Sequence, residues 1–179
     1  MRFIETPLAG LYVVEIEPRN DDRGFFARSF CMEEFRAHGL EQRVAQCNVS
    51  FNQKAGTLRG LHFQGEPHGE AKLIRCTRGI IFDVAVDIRQ ESNTYLRWYA
   101  TELTPENRRM MFIPRGFAHG FQTLIDESEV SYIMFEMYHP ESARGLRWDD
   151  PKLGIVWPLA TKIISDKDRN YPLIDAGLS

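Results

Sequence analysis

Apolar and polar residues alternate with a period of two along much of this chain. Tyr12, Val14 and Ile16 alternate with Val13, Glu15 and Glu17, and Phe82, Val84, Val86 and Ile88 share one side while Asp83, Ala85, Asp87 and Arg89 share the other. Successive side chains of a strand project to opposite faces, so these stretches predict an early strand over residues 10–17 and another over 82–89. Met111-Phe112-Ile113-Pro114 and Val130-Ser131-Tyr132-Ile133-Met134-Phe135 predict two more. Turn-forming clusters recur at short intervals, at Asn20-Asp21-Asp22-Arg23-Gly24, Lys54-Ala55-Gly56, Arg78-Gly79 and Arg115-Gly116. Many short strands punctuated in this way predict a mainly β protein, a β-sandwich or jelly-roll barrel with a few short helices.

Helical signals are few. Residues 32–37 predict one short helix, with Gly39 ending it and Leu40 packing back after it. Thr104-Pro105-Glu106-Asn107 reads as an N-cap followed by proline and predicts one or two further turns. The tail after Trp157-Pro158 is expected to hold a short helix or extended arm, so that residues 158–179 pack back on the barrel.

The chain has 179 residues, which suits a single domain over 1–179 able to bury roughly 70% of its unfolded surface. A net charge of −3 gives no whole-chain reason to bind nucleic acid or a membrane surface. No apolar stretch approaches the ~20 residues needed to span a bilayer. The first residues lack the long apolar region of a signal peptide, so a cytoplasmic protein is expected. Cys31, Cys47 and Cys76 are odd in number and show no CxxC spacing, which argues against a disulfide framework or a zinc knuckle. Cys76, in an apolar run, is expected to be a buried, inert thiol.

Chemistry enters at Leu58-Arg59-Gly60-Leu61-His62-Phe63-Gln64. Glycine here lets the backbone approach a ligand, and Arg59 is suited to fork onto phosphate. A lone strand histidine is more often a satisfied structural residue, and a strand carboxylate such as Asp83 or Asp87 more often faces water; Asp87 in particular is expected on a solvated face. His119 lies in Pro114-x-Gly116-x-x-His119, which matches the second metal-binding motif of the cupin barrels. The first cupin motif supplies His-x-His and then a glutamate, whereas this chain reads His62-Phe63-Gln64, with Glu66 and Glu70 at the wrong distance. Two imidazoles without a third ligand make a poor zinc or iron site, so no catalytic metal is expected. The same groups suit acid–base chemistry instead. A histidine base, a carboxylate to fix its tautomer, a lysine to hold an oxyanion and a tyrosine acid are the components of proton abstraction next to a carbonyl.

Taken together, Asp22-Arg23-Gly24-Phe25-Phe26, Gln46-x-Asn48-x-Ser50, the His62 segment, Lys72-Leu73-Ile74-Arg75, Asp83-Val84-x-Val86-Asp87-x-Arg89, the His119 segment, Arg147-Trp148-Asp149-Asp150-Pro151 and Ser165-x-Lys167-Asp168 closely resemble the dTDP-4-dehydrorhamnose 3,5-epimerase family. These are cupin-fold enzymes acting on nucleotide-linked 4-keto-6-deoxyhexoses, and the likeness covers almost the whole chain. The resemblance implies His62 as the base, Asp168 as its dyad partner, Lys72 as the enolate stabiliser and Tyr132 as the acid on the other face. It implies His119 and Asp83 in the pocket wall and Gln46 and Asn48 among the substrate contacts. Arg59, with Arg23 from a neighbouring subunit, is implied as the diphosphate clamp, and Tyr138 as the base-stacking ring helped by Phe25. It further implies a homodimer with strand exchange, a nucleotide-diphosphate sugar as the partner molecule, and no metal or organic cofactor.

Two positions depart from the family pattern. Arg28 stands where thymidine-specific members usually carry glutamate, and Glu70 where they carry glutamine. Either the two pair with each other across strands, or they alter recognition of the base or sugar. The alternatives left open are a single-site epimerase or isomerase on a CDP- or GDP-linked sugar, a metal-dependent cupin oxygenase or isomerase, and a catalytically silent sugar-nucleotide binding module.

Overall fold

A computed structural model describes residues 1–174. Its elements run β1 (Arg2–Glu5), β2 (Tyr12–Glu15), β3 (Arg19–Asp21), β4 (Gly24–Phe26), α1 (Met32–Ala37), β5 (Gln46–Asn52), β6 (Leu58–Gln64), β7 (Lys72–Arg78), β8 (Ile81–Asp87), β9 (Trp98–Leu103), β10 (Arg109–Ile113), β11 (Phe117–Thr123), β12 (Ser128–Met134), a 3-10 turn (Pro140–Ser142), β13 (Ala143–Gly145) and α2 (Asp166–Arg169). One sheet has the order β1-β2-β10-β7-β12-β5 and the other β13-β6-β11-β8-β9, while β3 and β4 form a separate hairpin. Their order is non-sequential and the pairings antiparallel, as in a jelly roll. The two large sheets remain separate rather than closing into one hydrogen-bonded barrel.

Alternation explains how three apolar layers arise from two sheets. Ile74, Met111, Ile113 and Val130 of the first sheet meet Ile81, Ala85, Phe117 and Phe121 of the second, forming the central core. The opposite face of the first sheet (Leu73, Met110, Phe112) is covered by α1 and Leu40. The opposite face of the second (Leu61, Val84, Val86, Ala118) is covered by Leu146, Leu153, Ile155 and Trp157. Because both faces of β8 and β11 are buried, polar residues on their inner faces are enclosed rather than solvated.

Helix α1 spans six residues, far below the ~12–15 at which a free helix is stable, so tertiary packing must hold it. Phe35 is fully buried among Phe30, Phe112 and Phe135, a burial contributing roughly 1.5–3 kcal/mol. Glu33 and Glu34 in the first turn and Arg36 in the last suit the helix dipole. Gly39 takes φ +69° and Leu40 N–H returns to Phe35 O at 3.0 Å, as its sequence anticipates.

Strand β2 is paired on both sides, with β1 along one and β10 along the other. Two expectations need correction. Thr104 and Asn107 exchange side-chain hydrogen bonds with each other's backbone N–H at 3.0 and 3.1 Å, closing a turn that does not continue as a helix. Asp87 is fully buried, not solvated, and accepts hydrogen bonds from Arg89, Ser92 and Thr94. Cys76 is buried as expected, and burial pushes its thiol up to about 11. The predicted tail segment is described to residue 174; residues 175–179 lie outside the described residues.

Candidate active site

The site is built on β6 and β11, near the middle of the second sheet. His62 is the direct cross-strand partner of His119, and Arg59 of Phe121, with a register shift between the two pairs. One residue lies between the partners on β11 but two lie between those on β6. The extra residue is a bulge, and it places Arg59 and His62 on the same wall, which strict alternation forbids. Glycine makes the close approach possible. A Cβ on Gly60, at φ +132°, would lie 2.5 Å from Gly120 Cα.

Helix α2 brings the carboxylate. Ser165 Oγ accepts from Asp168 N–H at 3.1 Å, capping the helix, and leaves the Asp168 side chain facing β6. Asp168 Oδ1 lies 2.8 Å from His62 Nε2, and Oδ2 accepts from Gly60 N–H at 3.2 Å. Burial alone would push this carboxyl up; the hydrogen bonds from His62, Gly60 and Ser165 outweigh it and hold Asp168 below the usual carboxylate range. An ionised carboxylate only accepts, so Nε2 carries the proton and Nδ1 is left as the basic nitrogen.

A second histidine–carboxylate pair lies deeper. His119 Nε2 is 2.7 Å from Asp83 Oδ1, with both side chains buried. Burial pushes Asp83 up, opposed by His119 and Lys72, and among the described residues Asp83 Oδ2 has no hydrogen-bond partner. Lys72 Nζ donates to Glu70 Oε1 at 2.6 Å, both again buried. Burial, reinforced by the charge of Asp83, pushes the Tyr132 phenol well above its usual range, so it stays protonated and able to donate at neutral pH.

A cleft of about 330 Å³ joins these groups, with Arg59, His62, Lys72, His119, Tyr132 and Tyr138 in its wall. Asn48 and Glu70 also line it, while Asp83 sits behind His119. Gln46 contributes indirectly, its Oε1 accepting from Tyr138 N–H at 2.6 Å. Arg23 and Phe25 are exposed on the β3–β4 hairpin, where Arg23 pairs with Asp21 and Phe25 with the Arg108 guanidinium, and neither lines the cleft of this chain. Of the two alternatives for Arg28 and Glu70, the pairing of one with the other is not what forms. Arg28 binds Glu34 at 3.0 Å in a different recess shared with Met1 and Arg19, and Glu70 is taken by Lys72. Ser50, Phe121 and Met134 line the cleft unanticipated, as does Val49. Tyr171 joins them as an unanticipated neighbour of His62. Its ring meets that of His62 edge-on at 6.1 Å and occupies the space beside Gly145, and no sequence pattern marks it.

An antiparallel jelly roll whose cleft holds an accessible imidazole–carboxylate dyad beside a buried ammonium and a protonated phenol defines a cupin-like protein equipped for acid–base chemistry. The profile of one such family, dTDP-4-dehydrorhamnose 3,5-epimerase, matches residues 5–176. The chain is 52% identical over 174 residues to the dTDP-4-dehydrorhamnose 3,5-epimerase of Methanothermobacter thermautotrophicus, covering 95% of this chain and 92% of that one. The solved structure of the Bacillus anthracis epimerase with TDP and PPi bound superposes with a TM-score of 0.92 at 41% identity, covering 96% of this chain and 98% of that chain. The Legionella pneumophila enzyme in complex with dTDP-4-keto-L-rhamnose gives 0.90 at 39% identity, with 97% and 93% covered. The chain belongs to the dTDP-4-dehydrorhamnose 3,5-epimerase family.

Proposed function

We propose that this chain epimerises a nucleotide-linked 4-keto-6-deoxyhexose at C3 and C5, of the dTDP-4-dehydro-6-deoxyglucose to dTDP-4-dehydrorhamnose type. The observation that carries the reading is the His62–Asp168 dyad opening into the same cleft as Lys72 and Tyr132. His62 takes a proton from a carbon beside the C4 ketone, and the C–H electron pair moves into the carbonyl to give an enolate. Lys72 holds the oxygen that gains charge. Tyr132 returns a proton to the opposite face of that carbon, and the enolate collapses to the inverted ketone. No electron leaves or enters, so the balance closes without a redox partner.

Arg59 is the in-chain clamp for the diphosphate and Tyr138, largely exposed at the cleft mouth, the platform for the base. The exposed β3–β4 hairpin and the exposed apolar side chains of edge strand β5 (Val49 at 68%, Phe51 at 44%) support a homodimer. In it, Arg23 and Phe25 of each hairpin reach the cleft of the other subunit.

The test is mass-spectrometric deuterium uptake in D₂O from TDP-, CDP- and GDP-linked 4-keto-6-deoxyglucose. Two deuterons in the TDP sugar support the double epimerase. One deuteron, or preference for another nucleotide, restricts the reading to a single-site or differently specific epimerase. No uptake in any of them overturns it.

A further inference from the structure

Outside the proposed catalytic groups, two histidines and a glutamate converge at the junction of the β6–β7 loop and the segment following β12. The rings of His68 and His139 lie face to face, centroids 3.5 Å apart and planes 9° from parallel. His139 Nδ1 is 3.2 Å from Glu141 Oε1. One nitrogen from each ring and one carboxylate oxygen all fall within 4.8 Å of one another. We propose that His68, His139 and Glu141 form a site for a divalent metal of the zinc class.

The donor set is the first support. Two neutral imidazoles and a carboxylate are a recurrent zinc ligand set, leaving a fourth position to water or an external ligand. Ligand atoms about 2.0–2.2 Å from a tetrahedral ion sit roughly 3.4 Å from one another. The three side chains therefore need to close in by at most about 1.4 Å, and two of them are half-buried and one exposed.

The second support is that the backbone holding these ligands is already fixed. Buried Gln64 ties both strands of the junction at once. Its Nε2 donates to His68 O and Met137 O, each at 3.0 Å, and its Oε1 accepts from His139 N–H at 2.6 Å. Gly65 N–H adds a bond to Ser142 O at 2.8 Å. One side chain thus sets the separation of the two imidazoles before any ion arrives, which lowers the ordering cost of binding. A bound ion would fasten the segment carrying Tyr138 to the loop that leads into Glu70 and Lys72, pinning the rim of the cleft.

The test titrates the chelator-treated chain with Zn²⁺ by calorimetry, and with Co²⁺ by visible absorption. The expected result is one ion per chain, a visible cobalt band, and a higher melting temperature with zinc. His68→Ala and His139→Ala should each weaken zinc binding by roughly a hundredfold or more, and Glu141→Gln by less, with unliganded melting temperatures near wild type. A chain that takes up neither ion overturns the proposal. So does zinc binding that is unchanged in the His68→Ala/His139→Ala double variant, because the ion would then reside elsewhere. Should a histidine variant fold poorly, weaker zinc affinity with an altered cobalt band in Glu141→Gln, an exposed surface change, supports the site in its place, and an unchanged affinity and spectrum overturn it.

Discussion

His62 and His119 stand directly opposite each other across the β6–β11 ladder, yet only one is free to meet a substrate. The His62 side chain is 43% exposed and that of His119 is 5% exposed. Each faces a carboxylate, but from different sources. Asp83 comes from the neighbouring strand β8 and is sealed in with its histidine, whereas Asp168 comes from the tail, 106 residues away in sequence. The first pair is fixed by the sheet. The second exists only when α2 is docked, so the orientation and tautomer of His62 depend on the tail.

Asp168→Asn should lower the rate of substrate C–H exchange by roughly 10²- to 10³-fold, because the amide fixes the wrong tautomer and no longer stabilises the imidazolium. Asp83→Asn should instead lower the melting temperature and leave exchange within about tenfold, since Asp83 lies behind the wall and its histidine partner is almost fully enclosed. Deuterium uptake rates of the two variants decide this. Equal loss in both would remove the distinction between the two pairs.

Tyr132→Phe deletes a proton donor and keeps the ring. Enolate formation at His62 should continue, so solvent deuterium still enters the recovered substrate, while inverted product falls by roughly 10²-fold or more. The readout is the ratio of labelled substrate to product. If washout and product fall together, Tyr132 is not the acid of the second face.

Much of the fold is legible in the residues. Strands β8 and β12, helix α1 with its Gly39 stop, and the buried Cys76 follow from alternation, a C-terminal glycine and an apolar run. The site is less so. The pairing of Asp168 with His62 came from family likeness, because no local pattern joins residues so far apart in sequence. Arg59 and His62 share a wall through a bulge, and a period-two reading places them on opposite faces. Alternation places Asp87 on a solvated face because its half-buried partners, Ser92 and Thr94, lie in a loop whose path the alternation does not specify. Arg28 took the nearer glutamate, Glu34, and Glu70 took the ammonium two residues along, so the imagined pair between them had no free members.

Glu70 and Lys72 form a buried ion pair inside the cleft, and its carboxylate competes with any enolate oxygen for the ammonium. Glu70→Gln keeps an acceptor for Lys72 and removes the counter-charge. The expected outcome is a melting temperature a few degrees lower, with an enolisation rate equal to or up to about tenfold above wild type. Stopped-flow or quenched deuterium uptake measures it. A large fall in enolisation would show that the carboxylate itself takes part in the reaction.

Gly145 is the cross-strand partner of His62 on β13, and a Cβ there would overlap the Tyr171 ring at Cζ. Gly145→Ala therefore pushes Tyr171 off its seat, and with it the α2 segment that carries Asp168. The rate should fall in the same sense as for Asp168→Asn while affinity for TDP stays within about threefold, as the clamp residues are untouched. Isothermal titration with TDP beside the exchange assay separates the two. Loss of TDP binding together with rate would mean that the tail supports the nucleotide as well as the base.

Asp87 offers a pH test that is independent of substrate. Burial would raise its carboxyl, but Arg89, Ser92 and Thr94 outweigh that and bring it down to about 2, from an ordinary 3.8. A carboxyl depressed on folding stabilises the native state fully above its unfolded value, and that stability is lost as pH falls through the folded one. The window is therefore from about pH 4 down to about pH 2, and the shift corresponds to roughly 2–3 kcal/mol. These bonds also fasten the β8–β9 loop, where Arg89 reaches Ala9 O at 3.1 Å and lies 4.7 Å over the Phe117 ring. Urea unfolding of wild type and Asp87→Asn should show the variant less stable by about that amount at pH 5–7, the gap closing below pH 4. A gap that stays constant to pH 2.5 would mean that the variant acts through lost packing, and that the carboxyl is not held in the depressed state its hydrogen bonds require.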